Sequence, residues 1–368
     1  MSRRSLISIR DLSNSAILGL FDLAAEFAAQ PRRRLMLAHD AVMATLFYEP
    51  STRTRLSFES AMLRLGGQVI SMADPGASSV AKGETLADTV RIVEGYADII
   101  VLRHPREGAA QLSADMVDVP VINAGDGARE HPTQTLLDLY TIFQEKGRLQ
   151  GVTVALCGDL KYGRTVHSLV QGLARFGAHM ICVAPHGLEL PEPFRRTLTA
   201  QYGVDIAQYH SLDTAPLGGC DVLYVTRIQK ERFADQVEFA RIRSSYQVSR
   251  KTLERVREDA IVLHPLPRVD ELDYSLDGDP RAAYFRQAAY GVPVRMALVA
   301  ALLGLREVPG FQQPGTSATP ASEAFHCPNP RCVTQSEPGI PARALVSEAG
   351  NSRCAFCDAE QEVVCPAS

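Results

Sequence analysis

The stretch Ala41-Val42-Met43-Ala44-Thr45-Leu46-Phe47-Tyr48-Glu49-Pro50-Ser51-Thr52-Arg53-Thr54-Arg55 decides how this 368-residue chain is read. Ala41 to Phe47 is a near-continuous apolar run, as in a strand buried on both faces. Leu56 to Leu65 holds good helix formers and stops at Gly66-Gly67, and a second strand-like run starts at Gln68. Tyr48 to Arg55 is therefore the turn of a strand-loop-helix-strand unit. Unpaired N–H groups at a helix start favour anions. Here the hydroxyls of Ser51, Thr52 and Thr54 and the guanidiniums of Arg53 and Arg55 join them. That is the make-up of a phosphate cradle. The plainer alternative is a Ser/Thr helix cap beside solvated arginines.

Outward from this turn, strands and helices alternate. Strands are expected at Gln68 to Met72, Asp98 to Leu102 and Val119 to Asn123, with helices at Glu84 to Gly95 and Thr133 to Lys146. A second alternating region begins at Gly151. Its strands are Val152 to Cys157, Met180 to Ala184, Asp221 to Thr226 and Ala260 to Leu263, and its helices are Thr165 to Phe176, Glu192 to Tyr202 and Lys251 to Glu258. The fold class is α/β, with two doubly wound parallel-sheet domains joined by helices. The first covers 1–146 and is completed by a long helix over 281–305; the second covers 147–280. Residues 306–324, rich in Pro, Gly, Ser and Thr, read as a linker, and 325–368 as a small cysteine-bearing tail.

An apolar share of 46% is ordinary for a globular protein, and a formal net charge of −4 speaks against a general nucleic-acid binder. No apolar run is long enough to span a bilayer, and Met1 to Asp11 carries no secretory-type apolar region, so a cytoplasmic location is expected. Cys157, Cys182 and Cys220 sit singly in apolar surroundings as small hydrophobes, whereas five cysteines crowd into the tail. In a cytosolic chain that clustering points to metal.

Four arginines follow expected strands or their turns: Arg53, Arg103, Arg164 and Arg227. The arginine fork pairs with carboxylate or phosphate, so substrates with several negative groups are expected. Arg55 and Arg91 are expected to close ion pairs within the chain. Gly158-Asp159-Leu160-Lys161-Tyr162-Gly163-Arg164-Thr165 nearly matches a nucleotide-binding P-loop but has Arg for the required Lys and places Asp159 beside the phosphate. A nucleotidase is accordingly disfavoured. His131 and Gln134, one turn apart at a helix start, can face one pocket, and a neutral His can polarise a carbonyl. His264-Pro265-Leu266-Pro267-Arg268 ends the last strand with a turn whose carbonyls are left to accept from a ligand amine.

Taken together, these motifs resemble the aspartate transcarbamoylase catalytic-chain family of the carbamoyltransferase superfamily, from roughly Ile9 to Leu305. The segments Val80-Ala81-Lys82-Gly83-Glu84-Thr85 and Arg227-Ile228-Gln229-Lys230-Glu231-Arg232 belong to the match. The resemblance implies carbamoyl transfer from carbamoyl phosphate to L-aspartate, with 1–146 binding carbamoyl phosphate and 147–280 binding aspartate. It implies that Ser51, Thr52, Arg53, Thr54 and Arg103 hold phosphate and that His131 and Gln134 meet the carbamoyl group. Arg164, Arg227, Gln229 and the Leu266-Pro267 turn would take aspartate. Lys82, with Ser78, would reach a neighbouring subunit's site, which implies a homotrimer and leaves room for larger assemblies with other pyrimidine enzymes. Arg53, Thr54, Lys82, Arg103 and His131 would act on the reaction itself, with no catalytic cofactor. The ornithine-using relatives typically carry a His-Cys-Leu-Pro turn, where this chain has His264-Pro265-Leu266-Pro267. An inactive scaffold is disfavoured because the substrate-contacting residue types are all present.

Cys327-x4-Cys332 and Cys354-x2-Cys357 have the paired spacing of a structural four-thiolate Zn2+ site, with Cys365 and His326 as spare donors. So short a tail has too little apolar content to fold without metal. Few basic residues argue against nucleic acid as its partner. The tail resembles the zinc domain of the regulatory chain of the same family, without that chain's nucleotide-binding half, so feedback control by nucleotides is in doubt. It is expected to dock on a catalytic domain of its own or a neighbouring subunit.

Overall fold

The computed structural model describes residues 5–30, 33–74, 76, 79–228, 245–311, 325–346 and 352–361. The expected site residues Ser78 and Gln229, and the spare Cys365, lie outside them. The chain divides into two compact units, Met1–Thr133 with Val292–Ser368, and Gln134–Gly291.

The first unit is built on four parallel strands, β1 (Val42–Phe47), β2 (Gln68–Met72), β3 (Ile99–His104) and β4 (Val121–Asp126), in the order β2-β1-β3-β4. β1 is buried along all but its first residue, in keeping with a sequence that is apolar but for Thr45, and β4 is buried throughout, its polar Asn123 and Asp126 hydrogen-bonded to each other. The helices α1 (Asn14–Ala28), α2 (Thr52–Leu65), α3 (Leu86–Glu94) and α4 (Ala109–Met116) belong to this unit. α2 ends at Gly66 with φ 95°, where a Cβ would lie 2.3 Å from the Leu35 carbonyl oxygen, so no other residue fits the stop. The register sets Phe47 beside Arg103, which brings the ends of β1 and β3 together at the start of α2.

α5 (Pro132–Lys146) begins in the first unit and continues into the second. The second unit carries five parallel strands, β5 (Thr153–Cys157), β6 (His179–Val183), β7 (Ile206–Tyr209), β8 (Val222–Val225) and β9 (Ile261–Leu263), in the order β7-β6-β5-β8-β9. With them go α6 (Arg164–Arg175), α7 (Glu192–Tyr202) and α8 (Arg250–Leu253), and α9 (Tyr284–Leu302) leads back into the first unit. The helix expected over Lys251 to Glu258 is only the single turn α8. Leu253 at its end and Val256 beyond it turn into the core, and Arg255 donates to the carbonyls of Leu212, Asp213 and Ala215 at 2.7, 2.9 and 3.1 Å. Tertiary contacts outweigh helix propensity there.

The tail belongs to the first unit. Its strands β10 (Ala344–Val346), β11 (Ser352–Cys354) and β12 (Glu360–Gln361) form a small antiparallel sheet. Cys327, Cys332, Val333, Cys354, Phe356 and Cys357 share one apolar cluster with Leu86, Val90, Ala109 and Leu112 of α3 and α4. Glu107 makes a strand-like bridge to the tail: its N–H donates to Arg331 O at 3.0 Å and its carbonyl accepts from Val333 N at 2.9 Å. The tail therefore rests on the first domain of its own chain. At the near end of the segment read as a linker, Phe311 is buried and Ser13 Oγ at the start of α1 donates to the Gly310 carbonyl at 3.0 Å.

Candidate active site and metal centre

In the first unit the site is the open start of α2. Ser51 occupies the cap position with φ −158° and ψ 88°, yet its hydroxyl makes no capping hydrogen bond. It accepts instead from Arg103 Nη1 at 3.3 Å. Among the described residues the N–H groups of Thr52, Arg53 and Thr54 meet no acceptor. The cap reading of this stretch is thus replaced by an unsatisfied helix start, the arrangement that binds anions. Arg103 is held from the other side by Glu49, 3.4 Å from Nε. Arg53 is exposed and has no acidic partner among the described residues; partial burial lowers its guanidinium from the ordinary value. Arg55 faces Glu59 at 3.6 Å and Arg91 faces Asp88 at 4.0 Å. Thr54 is buried and Thr52 exposed.

His131 is buried just before α5, with Thr133 Oγ1 3.4 Å from its Nδ1. The loop that carries it is clamped by Asp126, which accepts from Asn123 Nδ2 at 3.0 Å, Glu130 N at 3.2 Å and Gly108 N at 3.0 Å. Lys82 is exposed at the end of a 3-10 turn, Ser79–Lys82, without an acidic partner among the described residues.

In the second unit, Arg164 opens α6, half-buried, and Arg227 is exposed just past β8. β5 and β8 are neighbours, so both arginines follow the carboxyl ends of adjacent strands. Asp159, expected to repel a phosphate, instead folds its own loop: Oδ1 accepts from Lys161 N at 3.2 Å and Tyr162 N at 3.0 Å. At the end of β9, His264 Nδ1 accepts from Leu266 N at 2.7 Å, and Nε2 lies 2.7 Å from Glu271 Oε1. Burial would raise the Glu271 carboxyl, but the hydrogen bond to His264 leaves it below its usual value. Leu266 stands at φ 54°, a conformation an L-residue rarely adopts. Among the described residues the carbonyls of Pro265, Leu266 and Pro267 accept no hydrogen bond. Gln134 donates from Nε2 to Asp138 Oδ1 at 2.8 Å.

In the tail, Cys327, Cys332, Cys354 and Cys357 are all buried and their sulfurs converge. Cys327 and Cys357 sulfurs are 3.5 Å apart and those of Cys332 and Cys354 are 3.9 Å apart. Four converging thiols with no disulfide fit a tetrahedral metal centre. Next to them Asp358, at φ 61°, accepts from Arg129 Nη2 at 2.8 Å and Arg353 Nη1 at 3.0 Å, and also pairs with Arg10. Arg129 also holds Asp126 at 3.2 Å, so one buried guanidinium joins the metal knuckle to the His131 loop.

The sequence reading missed Glu49, Asp138 and Asp358. Glu49 lies within the decisive turn but has no role legible there, Asp138 and Asp358 are lone carboxylates, and only the strand order or the docked tail gives each an arginine or amide to hold.

Two parallel-sheet units, one presenting an open helix start and the other two strand-end arginines and a strained proline turn, define an α/β protein built to bind anions. Family comparison specifies it. Residues 4–144 match "Aspartate/ornithine carbamoyltransferase, carbamoyl-P binding domain", residues 150–302 match the Asp/Orn binding domain of the same family, and residues 322–363 match "Aspartate carbamoyltransferase regulatory chain, metal binding domain". The chain belongs to the aspartate/ornithine carbamoyltransferase family. It is 52% identical to the aspartate carbamoyltransferase catalytic subunit of Methanocaldococcus jannaschii over 82% of this chain and 98% of that one. It is 50% identical to the catalytic subunit of Thermoplasma volcanium over 83% of this chain and 99% of that one. A solved structure of the M. jannaschii catalytic subunit matches with a TM-score of 0.77 over 82% of this chain and 98% of that one. The aspartate transcarbamoylase of Trypanosoma cruzi, solved with N-(phosphonacetyl)-L-aspartic acid, matches with a TM-score of 0.76 at 42% identity, over 81% and 95% of the two chains.

Proposed function

We propose that this chain is an aspartate carbamoyltransferase, moving the carbamoyl group of carbamoyl phosphate to L-aspartate to give N-carbamoyl-L-aspartate and phosphate, the committed step of pyrimidine synthesis. The observation that carries this reading is the uncapped start of α2, where Ser51 turns to Arg103 and leaves three N–H groups and Arg53 open to an anion. The family relatives support the acceptor; the T. cruzi enzyme has also been solved with carbamoyl aspartate and phosphate.

The aspartate amine attacks the carbamoyl carbon, a C–N bond forms, the C–O bond to phosphate breaks, and the leaving phosphate takes the amine proton. No protein nucleophile or catalytic cofactor takes part. The protein orients two anions that repel each other and stabilises charge as it develops. Ser51, Thr52, Arg53, Thr54 and Arg103 hold the phosphate, with Arg53 at the leaving oxygen. His131 polarises the carbamoyl carbonyl, and Gln134 meets the carbamoyl NH2. Arg164, Arg227 and Gln229 take the aspartate carboxylates, and the Leu266-Pro267 carbonyls take its amine. Domain 1–146, with helix 281–305, thus serves carbamoyl phosphate and 147–280 serves aspartate, with 306–324 linking to the tail. Lys82, without a partner in its own chain's described residues, and Ser78 complete a neighbour's site in a cytoplasmic homotrimer, which is open to assembly with other pyrimidine enzymes.

The tail metal is zinc: a Zn–S distance of about 2.3 Å in a tetrahedron puts sulfurs about 3.8 Å apart, close to the 3.5 and 3.9 Å seen. Its role is structural, fixing the knuckle that seats Phe356 and Asp358 on the first domain.

Arg53→Ala tests the assignment. Loss of its charge from the transition state lowers kcat by about a hundredfold or more and leaves aspartate binding nearly intact. An unchanged kcat with weaker carbamoyl phosphate binding alone would remove Arg53 from the leaving group.

A further inference from the structure

We propose that Asp138 sets the polarity of the Gln134 amide and so makes the site choose an NH2-bearing carbamoyl group over a methyl-bearing isostere. The inference rests on the reading of Gln134 as a carbamoyl-site residue. Asp138 touches Gln134 and not the substrate, so it is a positioning residue.

Asp138 is fully buried, one helical turn after Gln134 on α5. Its Oδ1 accepts from Gln134 Nε2 at 2.8 Å and from Gln287 Nε2 at 2.6 Å, and its Oδ2 accepts from the Tyr224 hydroxyl at 2.8 Å. Burial and the adjacent Asp138 charge push the Tyr224 phenol well above its ordinary value, so it keeps its proton and donates. With its two oxygens accepting from Gln287 and the Tyr224 hydroxyl, the Asp138 carboxyl meets Gln134 as an acceptor too, so both amides turn their NH2 toward it and their carbonyl oxygen away. Gln287 shows the consequence: its Oε1 accepts from His264 N at 2.8 Å, at the root of the proline turn. Gln134 Oε1 is committed in the same way, and among the described residues nothing donates to it. An oxygen held there is an acceptor for the carbamoyl NH2. It offers nothing to the methyl group of acetyl phosphate, which is otherwise of similar shape.

Asp138→Asn keeps the shape but gives Gln134 a neighbour that can donate as well as accept, which frees the amide to turn over. The readout is the ratio of apparent affinities for carbamoyl phosphate and for acetyl phosphate as a competitive inhibitor. Inorganic phosphate, which lacks both groups, is the control. The wild type prefers carbamoyl phosphate, and in the variant the ratio falls by about tenfold, the weight of one hydrogen bond, while phosphate inhibition stays the same. A folded Asp138→Asn protein with the wild-type ratio overturns the proposal. If a thermal melt shows that the variant does not fold, Gln134→Met in the presence of Asp138 carries the test. Its ratio must fall likewise, and an unchanged ratio overturns the proposal. A wild type that transfers no carbamoyl group to aspartate defeats the proposed function instead, whereas an active wild type with an unaffected variant defeats only the role given to Asp138.

Discussion

The Ser51 hydroxyl accepts from Arg103 Nη1 at 3.3 Å rather than capping the helix it precedes. A capping serine would satisfy one N–H of α2 and close the cradle; turned to Arg103, it leaves the helix start open and draws the end of β3 toward it. Ser51→Ala removes that tie and leaves Arg103 on Glu49. The KM for carbamoyl phosphate should rise by about tenfold, the cost of one charge-assisted hydrogen bond, with a smaller effect on the KM for aspartate. Steady-state kinetics with each substrate varied in turn checks this; an equal rise in both would contradict it.

The tail is tied down by charge as well as by packing. Burial alone would raise Asp358, yet Arg129 and Arg10 hold its carboxyl down to about 2. A depressed carboxylate contributes stability that is fully present above its unfolded value of about 4 and is lost as pH falls through about 2. Tail docking should therefore weaken across that window. Glu130, raised by burial, acts in the opposite sense. Asp358→Asn should cost about 2 kcal/mol at neutral pH, because Arg129 stays buried with one partner fewer. A wild-type unfolding midpoint and pH profile in the variant would contradict this.

Gly108 lies directly against Phe356 of the tail. Its φ is 84°, and a Cβ there would come within 2.7 Å of the Phe356 backbone and side chain. Gly108→Ala meets both a backbone penalty and a clash that Phe356 relieves only by moving off the first domain. Limited proteolysis should then cut within 306–324 much faster than in the wild type. An unchanged cleavage rate would show that the tail does not depend on this seat.

Chelation tests the metal proposed for the four buried cysteines. Loss of one bound metal ion per chain should lower the thermal midpoint by several degrees, because Val333 and Phe356 would leave the cluster they share with α3 and α4. Metal analysis paired with calorimetry reads both quantities. Loss of the metal with no shift in the midpoint would deny it a structural role.

Much of the fold was legible because apolar strands and helices bounded by turn residues announce themselves. Gln68–Met72 and Glu192–Tyr202 fall where their patterns place them, and β1 departs by a single residue. Short elements were not legible: β7 spans four residues with a half-buried pattern, and β10 to β12 are set by the metal knuckle and not by alternation. At the site, hydroxyls and guanidiniums beside a helix start could be read from the chain. Whether Ser51 capped the helix or turned to Arg103 could not, because it depends on β1 and β3 being neighbours, which joins residues 52 positions apart. Asp138 was hidden for the same reason, since Tyr224 and Gln287 reach it only once the sheet has formed.

The central claim is most directly tested by the acceptor. The purified chain, given carbamoyl phosphate with either L-aspartate or L-ornithine, is assayed for phosphate release and for the carbamoylated product by mass. Arg164, Arg227 and the proline turn predict N-carbamoyl-L-aspartate, formed at a rate that Arg53→Ala abolishes or nearly so, and no citrulline. Citrulline as the product, or phosphate release that is indifferent to both acceptors, would contradict it.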